Sequence, residues 1–458
     1  MTHSISRNAV AGLLIMMLAA SSPAQVTNYW TQQYGTRSNL LGGSVIGSVT
    51  DMSATYYNPG AVALFKEASL LLSAQVYEYA ALKLEEGADE GRPLKTSSIR
   101  PAPDLLAGTL RFSWLGNHKL AYSILTRERS EVEIQARGSE RDPASQVLTG
   151  EELLYSSNLK ETWAGLAWSL PLGKNLGIGV SSYLAIRDQK RRSQVLSEDL
   201  TPAGEIGTSI LINHFEYQNY RLVWKAGLGW NLSPLTLGFT ITAPSVRLFG
   251  SGGALFNYTV AGLDVDGDGT LENILAANYQ DQLESRYQTS WALGGGGSYQ
   301  IGKTKVHFSG EWFDAIDKFA VLNTKDFISQ SSGDTLSNQL TLELQSVFNY
   351  GIGIEHALRQ RFTLFGSFST DFSGTVPGTK TNLSTTTLDV YNLAAGAAFT
   401  VARWELTLGG AYAYGREKFA KALNIDVIDP DNPISESLNN AYLSYRRIKL
   451  LFGFSYQL

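Results

Sequence analysis

From Ser69 onward, apolar and polar side chains alternate with period two over most of the chain; before Ser69 they do not. In the C-terminal stretch, residues 448–458, Leu450, Phe452, Phe454, Tyr456 and Leu458 share one face, while Leu451, Gly453, Ser455 and Gln457 share the other. Successive side chains point to opposite faces of a strand. Such a strand therefore has an apolar, aromatic-rich face and a small or polar face. Leu222, Trp224, Ala226, Leu228, Trp230 and Leu232 repeat the pattern against Arg221, Val223, Lys225, Gly227, Gly229 and Asn231. Trp404, Leu406, Leu408, Tyr412 and Tyr414 repeat it against Arg403, Glu405, Thr407, Ala411 and Ala413. Lipid outside and a polar lumen inside demand this division.

The alternation predicts fourteen strands, near residues 69–84, 104–115, 118–136, 153–170, 175–191, 213–232, 235–250, 284–301, 304–319, 340–358, 361–372, 388–401, 403–418 and 441–458. The connection after each even-numbered strand is a few residues at most; the connections after odd-numbered strands are longer and polar. An even strand number with short turns at one end and long loops at the other marks a bacterial outer-membrane barrel. The expected fold is all-β: a transmembrane antiparallel β-barrel of about fourteen strands, both termini on the periplasmic, short-turn side. Residues 25–66 do not alternate and are small and glycine-rich. A lumen this wide is not filled by wall side chains alone, so this segment is the expected hatch, or plug, with the barrel spanning 67–458.

Composition adds five constraints. Residues 9–20 form an uncharged apolar run after Arg7, followed by Ser22-Pro23-Ala24, which predicts a signal peptide over 1–24 cleaved before Gln25. No later segment approaches 18 consecutive apolar residues, so helical spans are not expected. The sequence has no Cys, which excludes thiol chemistry and disulfides. A net charge of −5 argues against a nucleic-acid partner. Tyr 22, Phe 19, Trp 9 and Gly 44 suit interfacial girdles and tight turns.

A small, glycine-rich lead-in, then an Asp-containing stretch, then Asn-Pro and a small residue, all ahead of such a barrel, resembles the FadL/TodX family of outer-membrane transporters for long-chain fatty acids and aromatic hydrocarbons. The residues that carry the likeness are 42–60, Gly-Gly-Ser-Val-Ile-Gly-Ser-Val-Thr-Asp-Met-Ser-Ala-Thr-Tyr-Tyr-Asn-Pro-Gly. The family has Ala after Asn-Pro; this chain has Gly60. The resemblance implies passive transport of a hydrophobic small molecule through a hatch-plugged barrel, with exit past the hatch or through the wall. A plugged barrel with a binding or surface-interaction role, and an outer-membrane lipid hydrolase, are the alternatives. Asp51, Asn58, Pro59 and Gly60 are the candidate hatch or gating residues, or a static anchoring turn.

Arg127, Arg129, Arg187 and Lys225 are candidate lumenal contacts for a ligand head group, or members of an internal salt-bridge lattice. Arg127, Arg129, Glu131, Glu133 and Arg137 are expected on one face of the third strand. Asp264, Asp266, Asp268, Thr270 and Glu272, with Gly269, follow the opening of an EF-hand-type calcium loop. The twelfth position is Leu275 instead of an acid, so Ca²⁺ competes with a plain acidic turn; no other cofactor is expected. Gly294-Gly295-Gly296-Gly297 in the eighth strand is a lateral gate or a packing surface for the hatch. The mature histidines, His118, His214, His307 and His356, fall in no catalytic motif, and no Gly-x-Ser-x-Gly elbow occurs, so an enzyme is not expected. Expected partners are outer-membrane lipid and lipopolysaccharide, the barrel assembly machinery and a hydrophobic ligand. The chain is expected to act as a monomer.

Overall fold

A computed structural model describes residues 27–65, 69–89, 92–264, 270–376, 388–401, 403–418 and 442–457. The predicted signal peptide lies outside them. The strands in chain order are β1 (Ser69–Asp89), β2 (Arg92–Leu110), β3 (Lys119–Arg141), β4 (Leu148–Pro171), β5 (Leu176–Leu200), β6 (Ile206–Leu232), β7 (Leu235–Thr242), β8 (Val246–Leu263), β9 (Glu272–Glu284) and β10 (Ala292–Ile301). They continue with β11 (Thr304–Phe313), β12 (Ile316–Leu322), β13 (Phe327–Ile328), β14 (Thr335–Leu336), β15 (Leu340–Leu344), β16 (Val347–Arg359), β17 (Phe362–Asp371), β18 (Val390–Val401), β19 (Trp404–Lys418) and β20 (Tyr442–Gln457).

Fourteen of these close a ring in the order β1-β2-β3-β4-β5-β6-β7-β10-β11-β16-β17-β18-β19-β20, and β20 pairs back onto β1. All the pairings are antiparallel, as the alternation predicted. Faces fall as expected too: Leu450 and Phe452 of β20 are exposed while Leu451 is buried, and Arg221, Val223 and Lys225 of β6 are buried while Trp230 is exposed.

Three features differ from the sequence reading. Several strands run well past the predicted ends. Residues 85–89 and 92–103, read as part of a loop, extend β1 and β2, with Asp89 opposite Arg92. The backbone ladder needs no apolar face, so it persists where alternation fades. The turn after β2 starts earlier than predicted, at Arg111, and holds a short 3₁₀ turn at Ser113–Leu115. Exposed Phe112 and Trp114 stack there with centroids 5.6 Å apart, an aromatic pair suited to the membrane interface. The seventh to tenth wall strands are each interrupted, at 243–245, 285–291, 314–315 and 345–346, so that β8, β9, β12 and β15 continue them beyond the break.

Residues 27–65 lie inside the barrel and carry α1 (Thr36–Leu40), α2 (Ala54–Tyr57) and α3 (Pro59–Val62). Most of their side chains are buried. Wall glycines make room for them. A Cβ at Gly396 or Gly409 would meet Leu40 at 2.6 or 2.4 Å, and one at Gly453 would overlap Thr36. Gly60 itself lies so near the wall that a Cβ would come within 2.5 Å of the Gly227 carbonyl oxygen. The departure from Ala at this position is a matter of space.

Candidate functional site

The N-terminal segment is fastened to the wall around much of the ring. Asn58 is fully buried. Its Oδ1 accepts from the Gly60 amide at 3.1 Å, and its Nδ2 donates to the carbonyls of Ile46 at 2.8 Å and Leu228 of β6 at 2.9 Å. Pro59 follows as the first residue of α3, where a missing N–H costs nothing. Asp51 accepts from the amide and hydroxyl of Ser53 at 2.9 and 2.5 Å, closing the turn into α2. These four candidate residues therefore hold turns and anchor the segment.

Further ties run from the segment to other strands. Ser181 and Tyr183 of β5 donate to the Thr55 carbonyl, Trp30 Nε1 donates to Glu311 of β11 at 2.9 Å, and Lys449 of β20 donates to Gln32 at 2.9 Å. Arg37 pairs with Glu355 of β16 at 2.5 Å. Ser48 Oγ lies 2.7 Å from His307 Nδ1 on β11, and His307 Nε2 lies 3.4 Å from Glu355. This Ser-His-Glu line resembles a hydrolase triad, but Ser48 and His307 are buried and Glu355 is engaged by Arg37. It is a fastening between segment and wall. Gly294 and Gly296 pack on Ile46, where a Cβ would meet it at 3.1 and 3.2 Å, and β10 is paired along both edges. The tetraglycine run is a packing surface, and the wall is closed there.

The predicted lumenal cations separate. A register shift between Thr126 and Glu128 turns β3 over. Arg127 points inward, donates to the Tyr29 carbonyl at 2.9 Å and lies over Trp163. Arg129, paired with exposed Lys160, lies on the outward face with Glu131, Glu133 and Arg137, so the expectation of one shared face for all five is corrected. A bulge is invisible to a period-two count because it slips the period by one. Arg187 is fully buried and pairs with Glu128 at 2.8 Å and Glu161 at 2.6 Å; Lys225 pairs with Glu311 at 3.1 Å. Arg221, an inward candidate from the sequence like Arg187 and Lys225, pairs with Glu161 at 2.8 Å. Its inward parity on β6 was the available signal. Of the acidic loop, Asp266 and Asp268 lie outside the described residues; Asp264, Thr270 and Glu272 flank that gap.

The least closed part of the wall is the seam between β2 and β3. Its ladder runs only from Leu110↔Leu120 to Leu105↔Leu125, six residue pairs. Beyond it β2 stays with β1 out to Arg92, and β3 stays with β4 out to Arg141. Six pairs span about 20 Å along a strand, or about 15 Å of membrane depth at a tilt near 40°. The apolar band of such barrels is about 25 Å tall, so the strands part within it. A sequence feature coincides with the parting. Pro101 and Pro103 lack N–H groups at two alternate positions just beyond the last pair. Proline in a sheet is confined to open edges and bulges.

Behind the parted strands lies a cavity of about 100 Å³. Thr96 and Ser97 of β2 and Arg129 to Val132 of β3 line its outer side. Asn28 and Thr31 of the N-terminal segment, with Asp371, Tyr445 and Arg447, line its inner side. Its lining thus joins residues of the N-terminal segment to residues of both strands that flank the seam.

No family model matches the sequence, and no curated protein matches it. Among solved structures, the toluene transporter TodX of Pseudomonas putida matches with a TM-score of 0.61 at 14% identity, over 93% of this chain and 99% of that one. A FadL homologue of Pseudomonas aeruginosa matches with a TM-score of 0.56 at 14% identity, over 94% and 99%. The toluene transporter TbuX of Ralstonia pickettii matches with 0.57 at 13%, over 93% and 99%. These neighbours are named as transporters or as a FadL homologue, none as an enzyme, in line with the sequence reading. The closed, internally filled, fourteen-stranded wall described above is the fold of FadL- and TodX-type outer-membrane barrels.

Proposed function

We propose that the protein carries hydrophobic small molecules across the outer membrane by passive transport, with delivery sideways through the β2–β3 seam. Long-chain fatty acids or ligands of similar character are the proposed cargo. The single observation behind this reading is that the seam parts inside the apolar band, with a cavity behind it that the N-terminal segment also lines. In this scheme the short turns and both termini face the periplasm.

Energetics favour the seam over a moving hatch. Roughly ten polar ties join the N-terminal segment to the wall, at about 1 kcal/mol net each. Releasing them costs on the order of 10 kcal/mol, comparable to the stability of a whole domain. A seam that is already unpaired has no such cost. It also hands an apolar solute to hydrocarbon, where each buried CH₂ is worth about 0.8 kcal/mol relative to water.

Proteoliposomes carrying the full chain should accumulate a pyrene-labelled fatty acid faster than empty vesicles while their ion conductance stays near baseline. Porin-like conductance without uptake of the labelled acid would refute the reading.

A further inference from the structure

The short turns of the barrel carry charge of one sign. Arg111 opens the turn between β2 and β3, Lys174 lies in the turn between β4 and β5, and Lys303 in that between β10 and β11. Arg359 and Arg361 flank Gln360 between β16 and β17, and Arg403 precedes β19. The β6–β7 turn, Ser233-Pro234, lacks a cation, and no Asp or Glu occurs in any of these turns. The opposite end reverses the sign. Its connections 142–147, 201–205 and 264–271 hold Asp142, Glu205, Asp264, Asp266 and Asp268, and no Lys or Arg. The net charge of −5 thus hides a separation of charge by ends.

All six cations of the short-turn rim are exposed. The ion pairs among the described residues use none of them. The carboxylates nearest to Arg359 and Arg403 in sequence are Glu355 and Glu405. Glu355 is held inside by Arg37, and Glu405 shares the lumenal face of β19 with buried Thr407. The rim therefore presents uncompensated positive charge to whatever surrounds it.

Position decides the partner. Exposed aromatic rings stand beside these cations: Phe112 and Trp114 follow Arg111, and Trp404 follows Arg403 and packs on Tyr456 with centroids 4.3 Å apart. Phe362 follows Arg361 and packs on exposed Phe399 at 4.6 Å. An aromatic girdle marks the level of the lipid head groups. At that level a Lys or Arg lays its stem along apolar surface and keeps its charge among the phosphates. The cations are spread around the ring of strands, in every short turn but β6–β7. A docked protein touches one side of such a rim, whereas a lipid annulus touches all of it.

We propose that this rim is a binding ring for anionic phospholipid of the periplasmic leaflet, its phosphodiester held by the turn cations and its acyl chains lying on the neighbouring aromatic rings. The choice of leaflet rests on the proposed orientation of the barrel, and nothing in it rests on the route of the cargo. A zwitterionic head carries its own cation beside the phosphate and so gains less from the ring than phosphatidylglycerol, which carries none.

The test reconstitutes the full chain in mixed vesicles and follows quenching of tryptophan emission by brominated phosphatidylglycerol or brominated phosphatidylcholine. Phosphatidylglycerol should bind about fivefold or more tighter, and the preference should shrink at about 1 M salt, where the Debye length is about 3 Å. Replacing Lys174, Lys303, Arg361 and Arg403 together by Gln should abolish the preference. The same change at four exposed cations elsewhere, Lys160, Arg192, Lys318 and Lys325, should leave it in place. Equal affinity of the wild-type chain for both lipids overturns the ring and leaves its cations to an acidic protein. An undiminished preference in the rim variant, or an equal loss in the control variant, overturns it too. If the rim variant does not fold, as judged by heat-dependent gel mobility, the wild-type preference and its salt dependence decide. Orientation is read separately: Lys303→Cys in intact cells should resist a polyethylene-glycol maleimide too large for porins. Labelling there would overturn the assignment to the periplasmic leaflet while leaving lipid binding and transport untouched.

Discussion

The β5–β6 seam and the β2–β3 seam are built by the same alternation and end in opposite states. The first is paired without a break from Leu176↔Trp230 to Leu200↔Ile206. The second stops at Leu105↔Leu125. Behind the first the lumen is packed solid with Arg187, Tyr217 and Arg221, all buried; behind the second is a cavity. The difference teaches that in a barrel the apolar face alone does not seal the wall. Sealing needs a donor at each ladder position and a filled interior, and β2 lacks donors at Pro101 and Pro103.

Glu161→Gln should have the largest effect. It removes the carboxylate shared by two buried guanidiniums and should destabilise the paired side by about 3–5 kcal/mol, read from urea unfolding in lipid vesicles. Unchanged unfolding would show that this side is not held by its inner charges. Replacing Pro101 and Pro103 together by Val should make β2 more like β5. Two new hydrogen bonds at about 1 kcal/mol each would lower the open fraction of the seam, and with it uptake, by up to about thirtyfold. Asn58→Ala removes bonds that tie the segment to itself and to β6. It should raise hydrogen exchange in residues 27–65, for a loss of about 1–3 kcal/mol, without changing uptake. Faster uptake in that variant would return the hatch to the exit route. Lys190→Ala breaks a solvated pair with Glu216 on the outer face of β5 and β6, and should shift stability by less than about 0.5 kcal/mol.

Much of the fold was legible because a barrel writes itself as alternation and loop length. All fourteen wall strands coincide with predicted ones, and Arg221, Val223 and Lys225 face inward as their parity required. What failed to show was anything that slips the period or depends on a partner far along the chain. The bulge after Thr126 put Arg129 on the face opposite the expected one. Arg221 and Tyr287 are 66 residues apart and meet only because strand eight breaks inward. The open seam had a sequence signal, the Pro101-Ala102-Pro103 step, which was hidden because that stretch precedes the alternation by which the second strand was recognised.

The central claim is that cargo leaves between β2 and β3. Since the chain has no native Cys, one pair can be introduced one position beyond the last rung, as Asp104→Cys with Thr126→Cys, and a control pair in the closed seam, as Val180→Cys with Ala226→Cys, which are opposite each other. Fatty-acid uptake by proteoliposomes is then measured with each pair oxidised and reduced. The account predicts that the oxidised link across the β2–β3 seam reduces uptake to the empty-vesicle background, that reduction restores it, and that the control link changes nothing. Full uptake with the seam link verified by mass would contradict it.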